Sequence, residues 1–129
     1  VLPFSRSPVL PFSRSPVPRS PVSPADFKRL ALALPGASAS AHMGHPDFRV
    51  GGRIFASLGY PKAGWGMVKL TPDQQEFYVR AQPAAWVPAN GSWGRQGATT
   101  VLLRLARKAL VREALREAWR NRAPKGLKG

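Results

Sequence analysis

Apolar positions along this chain change their period several times, and each change predicts an element. Phe27, Leu30, Ala31 and Leu34 recur at helical spacing behind Ser23-Pro24-Ala25-Asp26. In that tetrapeptide a serine can accept from the third helical amide, a proline is pre-set at the first helical position, and an aspartate meets the positive end of the peptide dipoles. Pro35-Gly36 stops this helix. Residues 37–43 read as a weak strand of mostly small side chains, and 47–51 with 53–58 as two strands joined at Gly51-Gly52, followed by a loop from Gly59 to Gly64. Trp65, Met67 and Lys69 alternate with Gly66, Val68 and Leu70, which predicts a strand buried over most of its length. Thr71-Pro72-Asp73-Gln74 repeats the capping logic and opens a short helix to about Ala81, with Phe77 and Tyr78 as its apolar contacts.

Pro83 and Pro88 confine Ala85-Trp86-Val87 to an edge or irregular strand. Asn90 to Gly97 reads as a glycine-punctuated loop and Ala98 to Leu103 as a β-rich strand. From near Arg107, Val111, Ala114, Leu115, Ala118 and Trp119 form one apolar stripe of a helix that Pro124 ends. Lys108, Arg112, Arg116 and Arg120 form a second, basic stripe along its flank, which Glu113 and Glu117 could neutralise by pairing with Arg116 and Arg120 three residues on. The order helix, strands, short helix, strands, helix predicts an α+β fold, a two-layer sandwich of helices packed on one antiparallel sheet.

The most restrictive segment is Gly-His-Pro-Asp-Phe-Arg-Val-Gly-Gly-Arg-Ile-Phe, residues 44–55. Two glycines between strands permit the positive φ values of a primed turn, and Arg49 and Arg53 bracket the tip as cationic shoulders. This segment, with Trp65 to Pro72, Trp93-Gly94-Arg95-Gln96-Gly97-Ala98-Thr99 and Ala118-Trp119-Arg120, resembles the MmcQ/YjbR family of small bacterial proteins over residues 25–126. The resemblance implies a CyaY-like (frataxin-like) fold and a DNA-binding role through a double-wing motif. Ala37-Ser38-Ala39-Ser40-Ala41 departs from the family pattern, in which acidic and bulkier residues often stand there.

The first residues differ in kind from the rest. Val1 to Pro8 recurs unchanged as Val9 to Pro16, and Val17 to Pro24 is a shorter variation. Such a Pro/Ser/Arg tract lacks an apolar face, so residues 1–23 are expected to be a disordered tail and 24–129 the MmcQ/YjbR-like domain. Residues 1–22 should be dispensable for folding; a DNA-contacting arm through Arg6, Arg14 and Arg19 is the alternative role. The tail is not read as a secretory signal. The remaining stretch, about 100 residues, suffices for one compact core.

Composition then narrows the chemistry. There is no cysteine, which removes disulfides, thiolate zinc sites and cysteine nucleophiles and fits a cytoplasmic protein. A net charge of +14 makes a polyanion the default partner. The phosphate-contact candidates are Arg49, Arg53, Lys69, Arg95, Arg120, Arg122 and Lys125. Trp93, beside Arg95, could stack on a base or fold back over the sheet, whereas Trp65 and Trp119 sit in apolar patterns and are expected in the core. His45, Pro46, Asp47, Gly51 and Gly52 are assigned to structure, with His45 pinning the start of the hairpin. His42 and His45 lack a third ligand, so no metal is expected. An iron role suggested by a frataxin-like fold would call for an acidic patch that a chain of this charge does not offer. No paired carboxylates, Walker loop or nucleophile elbow supports catalysis, and no cofactor is expected. The chain therefore reads as a monomeric, non-enzymatic DNA-binding protein of low sequence specificity, favouring DNA over RNA, with no membrane role. A small module binding acidic proteins through the same surface is the alternative.

Overall fold

The computed structural model describes residues 22–42 and 44–126. The octamer repeat and the arginines assigned to it lie outside them. The described chain runs α1 (Pro24–Leu32), β1 (Ser38–His42), β2 (His45–Val50), β3 (Arg53–Leu58), β4 (Trp65–Lys69), α2 (Pro72–Ala81), β5 (Trp86–Pro88), α3 (Gly91–Arg95), β6 (Ala98–Leu102) and α4 (Lys108–Arg122). The strands form one antiparallel sheet in the order β1-β2-β3-β4-β6-β5. This is the α+β layering expected, and no helix among the described residues is long and apolar enough to cross a membrane.

Both capping boxes form. Ser23 and Asp26 exchange hydrogen bonds at 3.0 and 3.1 Å, and Thr71 and Gln74 do so at 3.2 and 2.9 Å. The body begins earlier than expected, because Val22 is only 2% exposed and donates its amide to the Leu103 carbonyl at 3.2 Å. Val22 and the capping Ser23 thus belong to the folded unit, and removing residues 1–22 would take a core side chain with it. The first helix ends at Leu32, short of Pro35.

α1 and α4 cover one face of the sheet, where Phe27, Phe48, Phe55, Leu115 and Trp119 share one core. Gly66 makes the closest approach possible: a Cβ there would lie 2.8 Å from the Phe27 ring. All five apolar-stripe residues of α4 are buried, and Trp119 Nε1 donates to the Pro35 carbonyl at 2.8 Å, tying α4 to the end of α1. Trp65 is only half-buried, against expectation, because it stands on the other face at the sheet's end. Helix α2 also turns differently. Tyr78 is buried against Trp86 with ring centroids 4.8 Å apart, whereas Phe77 is exposed. The expected loop after Asn90 contains the helical turn α3, whose Gly94 lies so close to Ala89 that a Cβ would fall 1.8 Å from the Ala89 carbonyl oxygen.

The hairpin has the primed turn, with φ of +58° at Gly51 and +79° at Gly52. Its register shifts once: Phe48 pairs with Ala56 but Arg49 with Ile54, so Phe55 is an extra residue, and Phe55 and Ala56 both reach the core. Beyond the bulge Val50 pairs with Arg53. Directly paired residues share a face and neighbours alternate, so Arg49 and Arg53 project to opposite sides. They are therefore not paired shoulders on one side of the tip.

The two turn glycines should not be equivalent. An alanine at either carries the left-handed cost of about 1 kcal/mol, but at Gly51 its Cβ would also lie 2.7 Å from Pro124 Cγ, while Gly52 faces open space. Gly51→Ala is therefore expected to lower the unfolding midpoint more than Gly52→Ala in urea titrations. Equal losses would mean that the tip does not rest on Pro124.

Candidate nucleic-acid interface

The Gly51–Pro124 approach seats the hairpin tip on the chain leaving α4. Asn121 then ties two more elements to the same end, donating to the Lys69 carbonyl at 3.0 Å and to Gln74 Oε1 at 2.8 Å. The hairpin tip, the end of β4, the start of α2 and the end of α4 therefore meet at one end of the molecule. Arg53, Lys69, Arg122 and Lys125 gather there. Arg122 is close enough to Lys69 that its charge, after the larger effect of burial, holds the Lys69 ammonium pKa below its usual value. Arg122 Nε is buried without a hydrogen-bond partner. Among the described residues the ion pairs are Arg29–Asp26, Arg49–Asp47 and Arg80–Glu76, so this cationic end has no carboxylate paired to it.

Arg49 is differently employed. It forks onto Asp47 through Nε–Oδ1 at 2.9 Å and Nη2–Oδ2 at 3.2 Å, and that bond raises its own pKa. Asp47 is 2% exposed, so the arginine satisfies a buried carboxylate and is not a free shoulder of the wing. His45 Nδ1 would lie 2.8 Å from a Cβ at Gly59, so the ring closes over the glycine that follows β3. Pro46 pairs with Ala41 across β1 and β2.

The basic stripe of α4 is also freer than pairing rules suggest. Lys108, Arg112, Arg116 and Arg120 are exposed, and none is in an ion pair with Glu113 or Glu117. Glu117 instead accepts from the Tyr78 hydroxyl at 2.9 Å, and burial together with that carboxylate pushes the tyrosine pKa upward. Asp73, Glu113 and Glu117 line one groove with Tyr78 and the exposed Phe77. The acids do gather, contrary to the sequence-based expectation of no acidic patch, but no group of three potential ligands capable of holding a metal ion occurs among the described residues.

The uncovered face of the sheet carries a concavity of about 370 Å³. Ile54, Ser57 and Met67 form its floor, and Tyr60, Lys69 and Trp93 one wall. His45 and Asp47 complete it. Trp93, 51% exposed, neither leaves the sheet nor covers it: its ring meets Tyr60 at 6.2 Å and 69°, and Lys69 Nζ lies 5.0 Å from its centroid. Lys69 thus joins the cationic end to the concavity, while Arg95 stands exposed on α3 beside it. Tyr60, Ile54, Ser57 and Met67 were missed as site residues. Met67 and Lys69 had been placed on one face by their alternation, the one signal that pointed here.

The YjbR family model matches residues 32–121. A solved structure, protein DR2400 of Deinococcus radiodurans with family-model domain DUF419, superposes with a TM-score of 0.69 over 84% of this chain and 85% of that one, at 20% identity. At that identity the likeness shows the fold alone. No curated protein matches.

Removing Arg49 should be felt in stability, because it strands a buried carboxylate. Arg49→Ala is expected to lower Tm by clearly more than Arg53→Ala, whose effect should stay within about 0.5 kcal/mol, and Asp47→Ala placed on Arg49→Ala should recover part of the loss. Lys69 carries the opposite sign. Its folded-state pKa lies below the unfolded value of 10.5, so the protonated amine costs the folded state most at neutral pH, and the cost fades as pH rises from the depressed pKa toward 10.5. Lys69→Met is therefore expected to hold or raise Tm at pH 7 and to lose that advantage in alkaline buffer. A clear drop at pH 7 would contradict it.

Proposed function

The chain belongs to the MmcQ/YjbR family, and from that premise we propose that it binds DNA with low sequence specificity through its cationic end. The observation that carries this reading is the meeting of Arg53, Lys69, Arg122 and Lys125 around the contact of the hairpin tip with Pro124, without a paired carboxylate among the described residues. Cations so arranged gain by releasing counterions from phosphates, an attraction that any base sequence supplies. Arg120 extends the same surface along α4, and Arg95 extends it toward the open face of the sheet. Arg49 contributes field but not a free fork.

A non-catalytic role is part of the proposal. Asp47 is bound by Arg49, Glu117 by Tyr78 and Glu76 by Arg80, while Asp26 and Asp73 sit at helix starts. Carboxylates committed in this way are poor candidates for general acid or base chemistry.

Fluorescence anisotropy with a labelled duplex across a salt series tests the reading. Four phosphate contacts predict a slope of log affinity against log salt of about −3 to −4. Arg53→Ala with Lys125→Ala should make it shallower by about two units with Tm unchanged. Parental affinity and slope in that double mutant would remove the cationic end from the interface. Absence of duplex binding at low salt, with retention of an acidic polypeptide such as poly-glutamate, would favour the protein-binding alternative.

A further inference from the structure

Apart from Lys69, which it shares with the cationic end, the concavity on the open face is not used by the phosphate contacts proposed above. Its volume, about 370 Å³, lies at the small end for ligand sites and suits a group the size of one base with its sugar. The two aromatic rings beside it stand nearly perpendicular, Tyr60 to Trp93 at 69°. A planar ring stacked on one would therefore turn its edge to the other, the two arrangements that aromatic quadrupoles favour. Ile54 and Met67 supply an apolar floor, and Ser57 a hydroxyl within it. The Asp47 carboxylate in the lining is already held by Arg49, whereas the Lys69 ammonium stands over Trp93, and Arg122, outside the lining, is near enough for its charge to be felt at Lys69. With Asp47 neutralised by Arg49, an anion is drawn to Lys69, where it would relieve the repulsion between that ammonium and Arg122.

We propose that this concavity receives the base of a single unpaired nucleotide in a DNA strand, stacked on Trp93 with its edge toward Tyr60, with the adjoining phosphate at Lys69, whose charge Arg122 reinforces. The inference rests on the DNA-binding reading above and names what the strand must present. A base in an intact duplex is stacked and paired and cannot enter a walled site, so the ligand is a bulged, gapped or single-stranded nucleotide. The phosphate orients it, placing the base toward Ser57 and the Asp47 wall.

Three oligonucleotides test the proposal: a fully paired duplex, the same duplex with one bulged 2-aminopurine, and a third with an abasic residue at the bulge, the last two being equal in phosphate number. The full chain is expected to bind the bulged base about 5- to 100-fold more tightly than the abasic one, quenching 2-aminopurine as it stacks. Trp93→Ala should abolish both the gain and the quenching while leaving the affinity and salt slope on the paired duplex unchanged; Trp93→Phe should keep part of each. Equal affinity for bulged and abasic duplexes would overturn the inference and leave the DNA-binding reading standing. Free deoxyadenosine monophosphate separates the sources of the same chemistry. If it binds in a Trp93-dependent way while no oligonucleotide does, the strand nucleotide is wrong and so is the DNA-binding reading.

Discussion

A six-stranded sheet whose long helices lie on one side must do something with the other, and that constraint organises the whole molecule. On the covered side the large residues interlock, with Phe27 seated on Gly66 and Trp119 anchored to the Pro35 carbonyl. The opposite side has far less to bury. Met67, Ala89 and Ala98 form a small separate cluster beneath the α3 segment, and where that cover stops the concavity begins. Its aromatic wall is the margin of a partial lid: Trp93 belongs to the short helix whose Gly94 approaches Ala89 and whose following Gly97 approaches Leu70, so tightly in both cases that any side chain would displace backbone.

Elements whose signals are local were legible in the sequence. Ser23 with Asp26, Thr71 with Gln74, the Gly51-Gly52 turn and the apolar stripe of α4 each carry their cause within a few residues. Features that depend on partners far along the chain were not. Tyr78 and Glu117 are 39 residues apart, and their hydrogen bond engages a glutamate that local spacing would have paired with Arg120. Val22 looked like tail because its partner, Leu103, lies far along the chain. The bulge at Phe55 breaks strict alternation, so that Phe55 and Ala56 both reach the core, which a regular hairpin would not allow. One miss was avoidable: Asp47 and Arg49 are two apart on a strand and so share a face.

Charge is partitioned by the fold more sharply than composition implies. The six acids are spent on helix starts, on the Asp47–Arg49 fork, on the Glu76–Arg80 pair and along the groove between α2 and α4. Few remain to screen the basic stripe or the hairpin end. The molecule is thus polarised, with acids and the exposed Phe77 in one groove and unscreened cations around the tip and along α4. Such a field orients an approaching polyanion before any contact forms.

The contact between Gly51 and Pro124 has a consequence for entropy. A free hairpin samples many directions, and a ligand must bear the loss of that freedom when it fixes one. Here the turn is braced by a ring that is itself rigid, so the hairpin tip already occupies a single direction before anything arrives. Bracing works both ways: whatever pulls the segment after α4 away would loosen the turn, and the proline is as much a part of the hairpin tip as the glycines that form its bend.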